Sequence, residues 1–314
     1  MKKKLVAGAV TLLSVVTLAA CANGTNKDIV TMKGDTITVS DFYDEIKTNQ
    51  GAQQVLFQMT INKVFEKEYG SKVSDKEVDK ELAKQKKQLG NQFDAYLAQQ
   101  GLTEETAKKQ IRSNMLLEYA VNQAAKKDIK ESDYKAAFES YTPEVTAQII
   151  KLDSEDKAKE VLEAAKAEGA DFAQIAKDNS TDTATKDKGG EVKFDSGTTD
   201  IPSQVKEAAF KLDENGISDV ITVSAGQNYS ASYYIVKLNK KTEKGSDWKK
   251  YEKRLKEIIV DGRKQDTNYI RSIIAKAMTN ANIKVKDDAF KSTFNQYLQN
   301  IGVETSGSSS SSKK

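Results

Sequence analysis

Cysteine occurs once in this chain, at Cys21, and histidine does not occur at all. The missing histidine removes Ser-His-Asp and Cys-His nucleophile systems and HExxH zinc chemistry. A single cysteine removes an intrachain disulfide and any cysteine-based zinc site. Asp182 ends the run Ser180-Thr181-Asp182, where an aspartate fits a turn or cap as well as it fits an acid. Gly189-Gly190 reads as a tight turn, because neither GxGxxG nor GK[ST] surrounds it. The Lys/Glu-rich run from Ala158 to Lys166 is a solvated helix face with salt-bridge spacing.

The elements that must position these residues form a central block from Val145 to Lys237. It opens with the alternating strand Val145-Thr146-Ala147-Gln148-Ile149-Ile150 and closes with Ser232-Tyr233-Tyr234-Ile235-Val236-Lys237. The two prolines, Pro143 and Pro202, both belong to this block, so the flanking helices run without interior breaks.

Cys21 has a different setting. Lys2-Lys3-Lys4 is a basic start, Leu5 to Leu18 is an apolar run too short to span a bilayer core of ~30 Å comfortably, and Leu18-Ala19-Ala20 supplies small residues before the cysteine. This end resembles the bacterial lipobox, in which the thiol is acylated with diacylglycerol and cleavage makes the cysteine the new N-terminus. An uncleaved anchor helix or a buried thiol is the alternative. Acyl chains at Cys21 would hold the body on the outer face of a membrane, with the polar stretch Ala22 to Lys27 as a short tether. Residues 1–20 contain three lysines and no acid, so the mature chain balances 46 basic against 46 acidic residues. A neutral chain without a basic patch gives no footprint for nucleic acid.

The flanks are helical. Asp28 to Val39 reads as a hairpin turning at Lys33-Gly34-Asp35, with Ser40 as the N-cap of the helix that follows. Ser74-Asp75-Lys76-Glu77 is a capping box, and Gly70, Gly90 and Gly101 are stop signals. After the block, Trp248, Tyr251 and Leu255 recur with helical spacing, with an interruption at Gly262 before Tyr269 and Ile273. The aromatics Trp248, Tyr251 and Tyr269 fit core packing better than a peptide groove. Asn282-Ile283-Lys284-Val285 reads as a short strand, Phe290 to Leu298 as a last helix, and the Ser-rich end as a disordered tail. Neither flank has enough apolar surface to close a core alone, so the two are expected to pack together around the inserted block.

The central block resembles a parvulin, one of the peptidyl-prolyl cis-trans isomerase families. Parvulins open with a strand reading Ala-x-His-Ile-Leu. Ala147-Gln148-Ile149-Ile150 fits it with one residue deleted. Phe172-Ala173-Gln174-Ile175-Ala176, Ser180-Thr181-Asp182, Gly189-Gly190-Glu191-Val192, Ala208-Ala209-Phe210-Lys211-Leu212 and the closing Ser232 to Lys237 follow in family order. The whole chain resembles the extracytoplasmic foldase lipoproteins of Gram-positive, streptococcus-like bacteria.

The resemblance implies an α+β fold in which a parvulin-like domain, residues 143–241, is inserted in a discontinuous, mainly helical chaperone domain. The helical parts would be residues 21–142 and 242–304, with 1–20 a signal peptide and 305–314 a tail. It implies two facing histidine positions, at Gln148 and Tyr234, an acidic position at Asp182, and an apolar pocket for the proline ring at Ile201, Val205 and Phe210. Rotating an amide costs ~18–20 kcal/mol, and an isomerase works by binding the twisted amide better than the planar one. Both histidine positions are substituted, so weak or absent activity is expected, with Gln148 and Tyr234 holding an altered hydrogen-bond network. The implied function is assistance to secreted proteins after translocation. The partners are unfolded polypeptides and, through the lipid, the membrane; no metal or nucleotide cofactor is implied. A pure binding chaperone with an inactive parvulin-like domain is the rival. A two-lobed solute receptor is a third reading, disfavoured by the helical flanks.

Overall fold

The computed structural model describes residues 27–225 and 230–298. The signal segment, the acylation candidate Cys21 and the Ser-rich tail lie outside the described residues. The chain divides into two compact units, one holding residues up to Val64 together with those from Ala277 onward, the other holding Phe65–Lys276.

In the first unit, β1 (Asp28–Met32) and β2 (Asp35–Thr38) form an antiparallel hairpin. Its turn is Lys33-Gly34, and Gly34 has φ +88°, a conformation open to glycine. The helix α1 (Val39–Ile46) starts two residues earlier than the sequence suggests. Thr38, not Ser40, is its N-cap: the Thr38 hydroxyl accepts from the Asp41 amide, and the Asp41 carboxylate accepts from the Thr38 amide. The helix α2 (Gln50–Tyr69) follows, and its Phe57 ring packs against Phe294 and Tyr297 of α12 (Lys291–Leu298). Asn282 to Val285 is not a strand. Asn282 turns through a positive φ of 52°, and Ile283 to Val285 find no ladder partner among the described residues, because β1 and β2 pair only with each other.

The second unit contains α3 (Asp75–Leu89), opened by the Ser74/Glu77 capping box, then α4 (Phe93–Gln99), α5 (Glu104–Lys127) and α6 (Glu131–Ser140). The central block supplies β3 (Val145–Leu152), α7 (Glu155–Lys166), α8 (Phe172–Asn179), β4 (Glu191–Phe194), α9 (Ser203–Lys211), β5 (Ile221–Ala225) and β6 (Ser230–Lys240). Its four strands make one antiparallel sheet in the order β4-β3-β6-β5. The helices α10 (Glu252–Gln265) and α11 (Thr267–Asn280) complete the unit, α10 lying on α5 and α6. Gly262 does not interrupt the helix; the break falls at Asp266, whose carboxylate accepts from the Asn268 and Tyr269 amides at the start of α11. The architecture is α+β: a small antiparallel sheet with helices among a majority of helical residues.

Both faces of the sheet are buried. Val145, Ala147 and Ile149 of β3, with Tyr234, Val236 and Leu238 of β6, pack against Val205 and Ala209 of α9. Ile150, Leu152 and Ile235 pack the other way, against Val161, Phe172 and Ala176 of α7 and α8. Two devices fasten the block to its surroundings. Asp195, only 6% exposed, accepts from Arg254 Nε and Nη2 of α10 at 2.6 and 2.8 Å, and from the Tyr141 hydroxyl at 3.2 Å. Burial pushes the Asp195 carboxyl up, but the Arg254 guanidinium outweighs it and holds the group below its ordinary value. Beside this pair, Trp248 stacks on Tyr134 with ring centroids 5.0 Å apart, and Tyr251 packs on Phe138 and Tyr141. These aromatics are half-buried partners of one another rather than a deep core.

Candidate functional site

The site implied by the parvulin resemblance is built on the C-terminal end of β3, the N-terminal part of β6 and the Ser180–Asp182 segment. Two hydroxyls lace the segment to β3. Ser180, 2% exposed, accepts from the Lys151 and Asp182 amides. Thr181 donates to the Lys151 carbonyl and to the Asp153 carboxylate. Asp182 then opens a short turn: its carboxylate accepts from the Ala184 amide at 3.2 Å and from the Thr185 hydroxyl at 2.5 Å. Its local role is that of a turn-forming aspartate.

Tyr234 lies across the strand pair from Lys151. Its ring is buried in the core shared with Ile149, Val205 and Val236. Burial, and after it the negative charges of Asp182 and Asp153, push its phenol above the ordinary value. Tyr234 and Asp182 are therefore neighbours electrostatically, although no hydrogen bond joins them.

Gln148 belongs to the other face. Side chains alternate along a strand, and residues directly opposite in a ladder share a face. Gln148 pairs with Lys237, whereas Tyr234 pairs with Lys151. The two side chains thus leave the sheet on opposite sides, and the expected Gln148–Tyr234 network does not form. The Gln148 amide instead donates to the Gly189 carbonyl at 3.0 Å, inside the turn that joins the short 3-10 helix Lys186–Lys188 to β4. That turn needs its glycines. Gly189 and Gly190 have φ +66° and +78°, and a Cβ on Gly190 would collide with the Ile149 carbonyl. The residue on β3 that shares the Tyr234 face is Ile149, and it takes the histidine position when Ala147-Gln148-Ile149-Ile150 is aligned without a deletion. A signal for this was present in the sequence: Val145, Ala147 and Ile149 alternate as one apolar face, and a deletion within a strand would invert it.

The ring pocket also changes. Val205 is fully buried, a core residue of α9 with no free surface to grip a proline. Ile201 is half-buried and packs against the same core. Phe210 packs on Phe194 at 5.8 Å and lines a recess of about 280 Å³ with Tyr141, Pro143 and Val145. Val145 and Lys151 are six residues apart on β3, about 20 Å at strand rise, so Phe210 serves the opposite end of the sheet from Tyr234. Val205 and Tyr234 thus share one buried cluster with Ile201 against it, whereas Phe210 lines the recess at the other end of β3.

A second concave feature lies wholly within the first unit. It is a cleft of about 550 Å³, lined by Tyr43, Leu56 and Met59 from the N-terminal helices and by Ile283, Val285 and Phe290 from the C-terminal segment. The Tyr43 hydroxyl donates to Asp287 at 2.7 Å across one end. The stretch Asn282 to Val285 lines it, and no motif in the sequence marked the cleft.

Comparisons with known proteins agree with this geometry. The family model for the rotamase PPIC-type PPIASE domain matches residues 104–240. The foldase protein PrsA of Streptococcus sanguinis is 63% identical over 302 residues, covering 96% of this chain and 90% of that protein. PrsA of Streptococcus gordonii is 61% identical over 315 residues, covering all of both. Among solved structures, the crystal structure of PrsA from Streptococcus pneumoniae superposes with a TM-score of 0.78 at 55% identity, covering 86% of this chain and 99% of that one. PrsA from Lactococcus lactis gives 0.65 at 39%, with the same coverage. A parvulin sheet set among helices, and relatives of this identity along the full length, lead to one conclusion: the chain belongs to the PrsA foldase family.

Proposed function

We propose that this foldase works outside the cytoplasm, anchored by lipid at Cys21, and assists newly exported proteins chiefly by holding them. The rotamase block would contribute its fold and little isomerisation. The observation that carries this reading is the composition of the face on which a parvulin would twist its substrate: Ile149 and Tyr234 stand at the two histidine positions, and Val205 is sealed in the core. Isomerisation requires preorganised polar groups around the rotating amide together with a dry slot for the ring. Here one polar group of the pair is replaced by an isoleucine, and Val205 offers no exposed surface to a ring. The cleft of the first unit supports the holding role, because its mostly apolar walls suit side chains of an unfolded polypeptide. The basic start, apolar run and Leu-Ala-Ala-Cys sequence support export and acylation. The helical parts on either side of residues 143–241 would together form the chaperone domain.

The test is a pair of assays on the full mature chain. Suppression of aggregation of an unfolded protein at near-equal molar ratio is expected, with acceleration of an X-Pro peptide below about tenfold over its spontaneous rate of tens to hundreds of seconds. A strong acceleration that disappears in Asp182→Ala would overturn the reading and make Tyr234 and Asp182 the working parts of a histidine-free isomerase.

A further inference from the structure

The hairpin β1–β2 is built inside out. Val30 pairs with Ile37 and Met32 with Asp35, so Val30, Met32 and Ile37 share one face, while Thr31 and Thr36 share the other. A hairpin lying on a protein body normally turns its apolar face inward. Here Thr36 and Thr38 are the half-covered residues of β2, whereas Ile37 is 40%, Val30 47% and Met32 51% exposed. Among the described residues, the exposed large apolar side chains run from Ile29 to Met59, with Tyr96 as the only one beyond. An apolar ribbon face turned outward marks a contact surface.

Its position in the chain says what it meets. Six residues, Ala22 to Lys27, separate Cys21 from the first residue of β1, and fully extended they reach about 20 Å. The tether end of the hairpin is closed at the start of α1, where the Lys27 carbonyl accepts from the Val39 amide at 2.8 Å. With acyl chains on Cys21, the ribbon cannot leave the neighbourhood of the headgroups. A face too weak to bind a bilayer from solution is then occupied, because a short tether sets an effective concentration on the order of millimolar. The ribbon carries no net excess of basic residues, with Lys27 and Lys33 against Asp28 and Asp35, so contact would come from apolar side chains rather than from attraction to anionic lipid.

We infer that the Val30–Met32–Ile37 face of the hairpin docks on the membrane surface and fixes the orientation in which the lipid-anchored foldase stands. The inference rests on the anchor at Cys21. The test uses the full acylated chain in phosphatidylcholine/phosphatidylglycerol vesicles, with one fluorophore placed through Val30→Cys, Met32→Cys, Thr31→Cys or, as a remote control, Lys159→Cys; the acylated Cys21 thiol does not react. All four positions are exposed, so the labels leave the core untouched. Quenching by acyl-chain spin labels is expected to be at least about threefold stronger at Val30 and Met32 than at Thr31 and Lys159. In a chain that floats with the vesicles, equal quenching on both ribbon faces, or none, overturns the docking and leaves the anchor standing. A chain that does not float overturns both. A label change that follows protein concentration without vesicles assigns the face to a second copy, and one that needs added unfolded polypeptide assigns it to a client; either overturns the lipid assignment.

Discussion

The molecule contains two antiparallel sheets that treat the same strand periodicity in opposite ways. The four-stranded sheet of the rotamase block buries both faces, and no residue of its β3 is exposed. The hairpin exposes every residue of β1 and turns the apolar face of the pair outward. Alternation of side chains is a property of any strand; which face is hidden depends on what lies against it. The first sheet is a sealed structural element, packed by helices on both faces. The second retains apolar groups that the fold does not use.

The contrast can be broken most severely at Gly190. Gly190→Ala places a methyl group against the Ile149 carbonyl in a left-handed backbone and is expected to cost about 3 kcal/mol or more, read as a lowered denaturant midpoint. Removing the fastening comes next. Arg254→Met leaves Asp195 buried without its partner and should cost about 2–3 kcal/mol, discounted because Arg254 is a third exposed. Its pH dependence has a definite sign. The Asp195 carboxyl is held low in the folded state, so the contribution of the pair is fully present above the unfolded value near ~3.9 and is lost as pH falls through the lower folded value. The stability gap between the parent chain and the variant should therefore be constant at neutral pH and close below about pH 4.

Val205→Ala tests the seal itself and should cost about 2 kcal/mol through transfer and cavity effects. The assignment of faces is sharpened by adding histidines. The double change Ile149→His, Tyr234→His puts the pair on one face and should raise prolyl isomerisation by about tenfold, equivalent to ~1.4 kcal/mol of barrier. Gln148→His with Tyr234→His, on opposite faces, should leave the rate unchanged. The smallest effect is expected on the ribbon. Val30→Ser should change the stability of the chain in solution by less than about 0.5 kcal/mol, because about half of that side chain is already exposed.

The sequence was most readable where a signal is local. Gly34 at the hairpin turn, the Ser74/Glu77 box, and the stops at Gly70, Gly90 and Gly101 each act within a few residues of themselves. The parvulin block was legible from motifs in fixed order. The face of Gln148 was misjudged because a deletion was allowed inside a strand, where a shift by one residue exchanges core and outer face. The Asp195–Arg254 pair left no trace, since 59 residues separate its members and an aspartate after a strand resembles any turn residue. Asn282–Val285 has strand-like residues but no neighbouring edge to pair with, and pairing is a property of the fold rather than of the segment. The outward apolar face of the hairpin was invisible for the same reason: alternation was readable, but not which side the body would occupy.

The stacking of Trp248 on Tyr134 gives the molecule a built-in optical reporter. Trp248 is the single tryptophan, and its partner lies on α6, just before the rotamase block, while the indole lies just after it. Its emission therefore reads one event, the closing of the chain where it enters and leaves the block. Fluorescence at that junction, compared with circular dichroism over the many helices, would show in unlabelled protein whether the block and its helical supports melt together or apart.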